Sequence, residues 1–276
     1  MQFLKSLLYG LISGLAEFLP VSTQAHQVLC MQIFGVAQRE PLRDLFVHIA
    51  LLLAVLQAAK SLFDRVNREK KLSQRVTRGK LRQATGKSLF DLQLVRTASL
   101  PMMVLSLLYL ATGKLEAKIP AVAIVLIING IILIIPEYMR HGNKDARSIS
   151  SAESILIGVF SGLSAFPGIS RVGGCVSVAT ASGADRQNSA NWALMLAVPA
   201  LGLYIAFDLI NMLVIGLSGV TFLVFLGYLI SAIAAYIGGY FSVLLFRFLA
   251  EKAGFSAFAY YSWGMALFMF VLYLIT

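Results

Sequence analysis

Two stretches decide the architecture: Gly10-Leu11-Ile12-Ser13-Gly14-Leu15-Ala16-Glu17-Phe18-Leu19-Pro20-Val21-Ser22 and Gly158-Val159-Phe160-Ser161-Gly162-Leu163-Ser164-Ala165-Phe166-Pro167-Gly168-Ile169-Ser170. Set one above the other at a constant offset of 148, they share Gly, Ser, Gly, Leu, Phe and Ser, and Val21 falls on Ile169. Six identities in thirteen ungapped positions mark an internal repeat. Each copy lies in an apolar stretch, 3–36 or 154–184, that is broken midway, by Pro20-Val21-Ser22-Thr23 in one and Pro167-Gly168-Ile169-Ser170 in the other. Broken backbone at membrane depth persists only where protein or a watery cavity satisfies its polar groups. Both stretches therefore read as re-entrant helical hairpins.

The composition places these hairpins in a bilayer. Of the 276 residues, 58% are hydrophobic and 13% charged, with a mean hydropathy of +0.80. A soluble domain is nearer half apolar and a quarter charged, so a soluble enzyme, a nucleic-acid-binding domain and a disulfide-stapled scaffold are excluded. Cys30 and Cys175 both sit in apolar surroundings and suggest no disulfide framework. The N-terminus lacks a cleavable-signal layout, since the apolar run after Lys5 holds Glu17 and Pro20.

A spanning helix needs about 20 mostly apolar residues. Six stretches qualify or nearly so: 45–60, 94–112, 120–139, 190–215, 219–248 and 255–275. The expected fold is an all-α polytopic membrane protein made of an inverted repeat. Its first half, 1–139, holds hairpin 3–36, three spans and a basic loop 60–93; its second, 140–276, holds hairpin 154–184 and three spans. An odd number of spans per half inverts the second half, and in such architectures broken helices meet near the midplane to build a site. The net charge of +10 concentrates in one place: from Lys60 to Lys87, ten Lys or Arg stand against Asp64 and Glu69. A short basic loop beside apolar spans marks the cytoplasmic side and attracts anionic headgroups. The turn around Lys114 and Lys118 is then external, and the loop with Arg140, Lys144, Asp145 and Arg147 is cytoplasmic, as is Asp185-Arg186.

Charge within apolar segments is a functional hypothesis by default, and Glu17 and Arg171 fall within the broken stretches. His26 follows Ser22 and Thr23 at helical contact spacing. Helix starts after Ser22/Thr23 and Ser170/Arg171 would aim free N–H groups at one point, an anion site, and a guanidinium adds bidentate recognition of phosphate. Glu17, Ser22, Thr23, His26, Ser170 and Arg171 together suit a phosphate group held within the membrane. Each has a plainer reading: the serines as helix N-caps, Glu17 as a structural partner of Arg171, His26 as a satisfied interior histidine. His48 and Asp208 read as structural or interfacial groups without an identifiable partner. Asn129 and Asn191 read as interhelical hydrogen-bonding residues.

Glu17-Phe18-Leu19-Pro20-Val21-Ser22-Thr23-Gln24-Ala25-His26 resembles the E-F-L-P-V-S-S-T-G-H motif of the bacterial undecaprenyl pyrophosphate phosphatase family, the bacitracin-resistance type. Pro167-Gly168-Ile169-Ser170-Arg171-Val172-Gly173 is similar to that family's P-G-x-S-R-S-G, Leu196-Ala197-Val198-Pro199 also matches, and the resemblance runs nearly end to end. It implies a bacterial inner-membrane enzyme of six spans and two re-entrant hairpins. The implied activity removes the terminal phosphate of undecaprenyl pyrophosphate and regenerates the lipid carrier of cell-wall synthesis, with divalent cations involved. The sequence departs from the pattern in places. Ser13 stands where an acidic or amide residue begins the motif, Thr23 replaces its second serine, and Val172 replaces the serine after Arg171. Asn191, Ala50 and Tyr261-Ser262 replace an acid, a glutamine and a Tyr-Arg pair.

The leading expectation is phosphoanhydride hydrolysis. Glu17, Thr23, His26 and Arg171 are the expected catalytic residues; Ser22, Ser170, Gly168, Gly173 and Arg171 are expected to hold substrate. Arg171 and the hairpin N–H groups would stabilise charge on the transferring phosphoryl group, Thr23 or Ser22 would attack or position water, and Glu17 or His26 would accept a proton. Mg²⁺ or Ca²⁺ on Glu17 is the expected cofactor. Expected partners are a polyprenyl (undecaprenyl) pyrophosphate or phosphate lipid, membrane lipids and a second copy of the chain in a homo-oligomer, with no nucleic acid. The competing reading is a polyprenyl-phosphate translocase that flips its lipid without cleaving it, favoured by Ser13.

Overall fold

The computed structural model describes residues 2–36, 40–73, 92–112, 118–139, 148–216, 219–252 and 255–275. Among them are eleven α-helices: α1 (Gln2–Glu17), α2 (Thr23–Phe34), α3 (Pro41–Ala58), α4 (Lys60–Ser73), α5 (Leu92–Thr112), α6 (Ile119–Ile134), α7 (Ser151–Gly162), α8 (Arg171–Ala181), α9 (Arg186–Ile215), α10 (Phe222–Lys252) and α11 (Ser256–Ile275). Short 3₁₀ turns at Ile135–Tyr138 and Leu163–Ala165 extend α6 and α7. Helices α3, α6 with its 3₁₀ turn, α9, α10 and α11 are long and apolar enough to cross a bilayer. The sixth expected span, 94–112, forms α5, apolar over Leu92–Leu107. Large apolar side chains such as Leu213, Val214, Phe222, Leu267 and Leu274 are exposed, as on a surface that faces lipid. The chain is an all-α, polytopic membrane protein.

The two broken stretches fold as helix pairs, α1–α2 and α7–α8. The breaks follow from local chemistry. Ser22 (φ −79°, ψ 112°) and Ser170 (φ −90°, ψ 128°) are both extended, and each serine oxygen caps the helix it opens, accepting from Ala25 N and Gly173 N. Helix α2 ends at Gly35, left-handed at φ 60°. Helix α7 opens with a reciprocal capping box between Ser150 and Glu153. At 16, 12, 12 and 11 residues, none of these four helices is long enough to span alone.

Packing is reciprocal. Helix α1 lies against α10 and α7 against α5, α3 packs on α9, and α6 on α11. Close approach in the first two contacts depends on repeat-related glycines. A Cβ on Gly10 would stand 2.0 Å from Ser231 O, and one on Gly158 2.0 Å from Ala98 O. Small residues let helices pack backbone to backbone where lipid supplies no hydrophobic drive between them. The main core includes Phe18, Leu51, Trp192, Leu196 and Phe246, all fully buried. Phe18 thereby anchors the adjacent Glu17.

One expectation is corrected. The basic stretch 60–93 was expected as a loop, yet its first part is helix α4. Leu62 and Val66, four residues apart, share a face and are buried, while Arg65, Arg68 and Lys71 are exposed. Residues 74–91 lie outside the described residues, as do Lys114, Arg140, Lys144, Asp145 and Arg147. Lys118 is the exposed N-cap of α6, and Asp185 caps α9 by accepting from Asn188 N at 2.7 Å.

Candidate active site

Glu17 ends α1, the chain runs non-helically through Phe18–Ser22, and Thr23 starts α2. This reversal brings Thr23 back over the end of α1, where its Oγ1 donates to Glu17 Oε2 at 3.0 Å. The other carboxylate oxygen, Oε1, accepts from Arg171 Nη2 at 3.0 Å. Arg171 is the first residue of α8; its guanidinium also reaches the Glu17 carbonyl at 3.4 Å and the Ala193 carbonyl of α9 at 3.5 Å. The side chains of Arg171 and Glu17 are only 6% and 10% exposed, so this is a buried ion pair. The plainer reading of Glu17, as a partner of Arg171, is present in the structure, and the pair also faces a cavity.

The two breaks bond directly to each other. Gly168 N donates to Ser22 Oγ at 3.0 Å, and Ser170 Oγ donates to the Leu19 carbonyl at 3.3 Å. Ser170 N donates to Asn129 Oδ1 at 2.8 Å, and Asn129 Nδ2 donates to Ser262 Oγ at 2.9 Å, so Asn129 ties α8 to α6 and α11. Gly168 has φ +117°, a conformation side-chain-bearing residues avoid, and a Cβ there would meet Val125 Cβ at 2.7 Å. Gly173 N donates to Ser170 Oγ at 3.0 Å. The N–H groups of Gly168 and Gly173, expected to face an anion, are thus engaged by serine hydroxyls. Ser170 takes the Gly173 donor as the N-cap of its own helix, while Ser22 takes the Gly168 donor from the other break.

Beside the ion pair is a cavity of ≈ 150 Å³. Glu17, Thr23, Ser170 and Arg171 line it; Ser22, Gly168, Gly173 and His26 do not. His26 is held elsewhere. Its Nδ1 donates to the Ser22 carbonyl at 2.7 Å, and its Nε2 lies 2.6 Å from the Tyr261 hydroxyl, the two rings stacked 5.8 Å apart. Gln24, also in the cavity wall, has a buried Oε1 without a protein partner, so its amide is available to a bound polar group. Ser13, at the departed first acid of the motif, accepts from Gln27 Nε2 at 3.1 Å.

Two features of the cavity escaped the reading of the sequence. His48 on α3 and Asp208 on α9, whose partners the sequence did not identify, bond to each other: Nδ1 lies 2.5 Å from Oδ2, and both line the cavity. Residues Tyr9 and Asp44 also line it; Asp44 Oδ1 accepts from Tyr9 OH at 3.0 Å and pairs with Arg43 at 2.9 Å. The available signal was ionisable residues inside apolar spans, which are almost always paired or lining a cavity; their partners are 160 and 35 residues away along the chain.

Glu17, the expected metal ligand, is already engaged on both carboxylate oxygens, one of them by a guanidinium that a metal would have to displace. No group of three or more His, Cys, Asp or Glu suited to a metal occurs among the described residues.

These observations define a class: a polytopic helical membrane protein in which two broken hairpins bring a carboxylate, a hydroxyl and a guanidinium together at a cavity. The chain belongs to the family described as bacitracin resistance protein BacA, whose model matches residues 6–268. It is similar to the undecaprenyl-diphosphatase of Halothermothrix orenii, at 25% identity over 99% of this chain and 98% of that protein. It is likewise similar to the undecaprenyl-diphosphatases of Carboxydothermus hydrogenoformans, 28% identical over 99% and 98%, and of Methanobrevibacter smithii, 28% identical over 98% of each.

Proposed function

We propose that this protein is a membrane phosphatase that hydrolyses undecaprenyl pyrophosphate to undecaprenyl phosphate and so returns the lipid carrier to cell-wall synthesis. The observation that carries this reading is the contact chain Thr23 Oγ1–Glu17–Arg171 at the cavity wall, 3.0 Å at each step. It supplies three parts of a phosphoryl transfer: a hydroxyl nucleophile, a carboxylate positioned to take its proton, and a cation for the charge on the transferring group. Thr23 Oγ1 attacks the terminal phosphorus while its proton passes to Glu17 Oε2. The bridging P–O bond breaks, and its electron pair leaves on undecaprenyl phosphate. For Arg171 to meet phosphate oxygens, the substrate must compete with Glu17 for the guanidinium, and protonation of Glu17 in the same step releases it. Ser22, buried and committed to Gly168 N and Ala25 N, supports the site as scaffold. The polyprenyl tail lies between helices, open to lipid.

The reciprocal packing of α1 on α10 and α7 on α5 supports two halves of opposite orientation, 1–139 and 140–276. The exposed basic face of α4 supports a cytoplasmic side for that helix in a bacterial inner membrane. A Mg²⁺ or Ca²⁺ requirement would belong to the oxygens of the pyrophosphate rather than to a protein-held site.

The test is phosphate release from undecaprenyl pyrophosphate by purified protein in detergent, with Mg²⁺, Ca²⁺ or chelator, alongside Arg171→Ala. Turnover that vanishes with the arginine is expected. Lipid-phosphate binding without turnover under every metal condition overturns the hydrolytic reading in favour of translocation.

A further inference from the structure

The cavity is lined by three carboxylates, Glu17, Asp44 and Asp208, and each has a basic partner. Glu17 faces Arg171 at 3.0 Å and Asp44 faces Arg43 at 2.9 Å. Those partners are guanidiniums, charged at every physiological pH. Asp208 faces His48 at 2.5 Å. The third pair alone has a partner that gains and loses its proton in the physiological range. Its geometry is also that of an oriented base. Nδ1 gives its hydrogen to Asp208 Oδ2, which fixes the ring and makes Nε2 the exchangeable nitrogen. The Tyr204 ring, centred 5.3 Å from that of His48, supports it from α9.

We infer that His48, held by Asp208, is the group that takes the proton from the water completing hydrolysis, with Asp208 as its positioning residue. This rests on the phosphatase reading and supplies what that reading lacks. After the first transfer, Glu17 holds the proton of Thr23 and cannot also accept one from water. His26, the histidine of the motif, lies outside the cavity with its Nδ1 bonded to Ser22 and its Nε2 at Tyr261. His48 is in the cavity wall with Thr23 and Glu17. In the second step a water oxygen bonds to the phosphorus on Thr23, and the water's proton moves to His48 Nε2. The bond between Thr23 Oγ1 and phosphorus breaks, Thr23 recovers its proton from Glu17, and His48 passes its proton to the departing inorganic phosphate.

The groups around the ring are those of its packed neighbours. Asp208 and Tyr204 face it from α9, Glu17 from α1, and Asp44 from one turn earlier on α3 itself. Arg247 of α10 meets the far end of α3 at the Ala58 carbonyl, ten residues beyond His48, or about 15 Å at helical rise.

The experiment measures kcat and KM for phosphate release from undecaprenyl pyrophosphate across pH 5–9, for wild type, His48→Gln, Asp208→Asn and His48→Ala with added imidazole. Folding of each variant is read by thermal unfolding in detergent. The expected result for His48→Gln is a fall in kcat of about 10²–10⁴-fold, KM changed by less than about threefold, and loss of the acidic limb of the pH profile. Asp208→Asn should lower kcat in the same direction, and imidazole should restore part of the rate to His48→Ala. A folded His48→Gln with wild-type kcat and an intact acidic limb overturns the assignment while leaving the phosphatase reading standing. If His48→Gln fails to fold, a His48→Ala rate untouched by imidazole, with Asp208→Asn at the wild-type rate, overturns it equally. Absence of turnover in the wild type overturns both.

Discussion

The break at Phe18–Ser22 and the break at Phe166–Ser170 are built alike and do different chemistry. In both, an extended serine caps the following helix, and a glycine on the preceding helix is pressed against a neighbouring backbone. Yet at the repeat offset of 148, Glu17 corresponds to Ala165, Thr23 to Arg171 and Pro20 to Gly168. One copy carries the acid and the hydroxyl, the other the cation. The exchange Gly168 N to Ser22 Oγ and Ser170 Oγ to Leu19 O binds the two frames together without using any of those three side chains. A repeated scaffold therefore leaves its variable positions free to become complementary, and an ion pair between copies does what neither could do alone.

Removing the cation should break this complementarity most severely. Arg171→Ala leaves Glu17 buried without its partner, at a cost of about 3–5 kcal/mol, and removes the transition-state cation, at a cost of about 10³–10⁵-fold in turnover. The double variant Glu17→Gln/Arg171→Ala separates the two effects. It should recover most of the thermal stability in detergent and none of the phosphate release. Recovery of turnover would show that the pair only holds the breaks together.

The hydroxyls of the first break sharpen the contrast between frame and chemistry. Thr23→Ala should abolish phosphate release while folding normally, since Thr23 caps nothing and bonds only to Glu17 among the contacts described. Ser22→Ala should keep measurable turnover but lose stability, about 0.5–2 kcal/mol for the cap and about 1–3 kcal/mol for an unsatisfied Gly168 N–H. The reverse pattern in the release assay and the melting curves would exchange the roles of nucleophile and scaffold.

What the sequence made legible follows the same division. The repeat exposed both breaks because glycine, proline and serine act locally, on backbone dihedrals and helix caps within a few residues. Glu17 and Arg171 were legible as charges in apolar stretches. The pairing of His48 with Asp208 was not, because it is set by α3 packing on α9, and neither residue lies in the matched stretches 10–22 and 158–170. The helix α4 was hidden by its charge: ten basic residues in 60–87 outweighed Leu62 and Val66, whose four-residue spacing is what folds it. The N-cap reading of Ser170 anticipated its bond from Gly173 N, whereas the bond from Gly168 N to Ser22 Oγ was not legible, because it joins residues 146 apart in the chain.

The repeat-related positions Pro20 and Gly168 test how far the frames are interchangeable. Gly168→Ala forces a side chain into φ +117° and against Val125. The backbone strain costs about 1–3 kcal/mol and the overlap a similar amount. Pro20→Ala releases a restraint on the unfolded chain and costs about 1 kcal/mol. Comparable melting temperatures for the two variants would mean that the second break relaxes and that its glycine is not required for the exchange with Ser22.

The smallest expected effect distinguishes the two histidines. Tyr261→Phe removes the hydroxyl at His26 Nε2 and keeps the ring that stacks on it. One lost hydrogen bond costs about 0.5–1.5 kcal/mol, and His26 remains tied to the Ser22 carbonyl at the start of α2. If His26 only braces that helix, turnover should stay within about twofold of wild type and the pH profile should keep its shape, because a loss of that size leaves the folded population intact. If His26 moves the proton, freeing Nε2 changes its charge state during the reaction, and the acidic limb shifts. A shifted limb in Tyr261→Phe together with an unshifted one in His48→Gln would transfer the acid–base role from the cavity histidine to the motif histidine. The opposite pair of results leaves His26 as part of the frame.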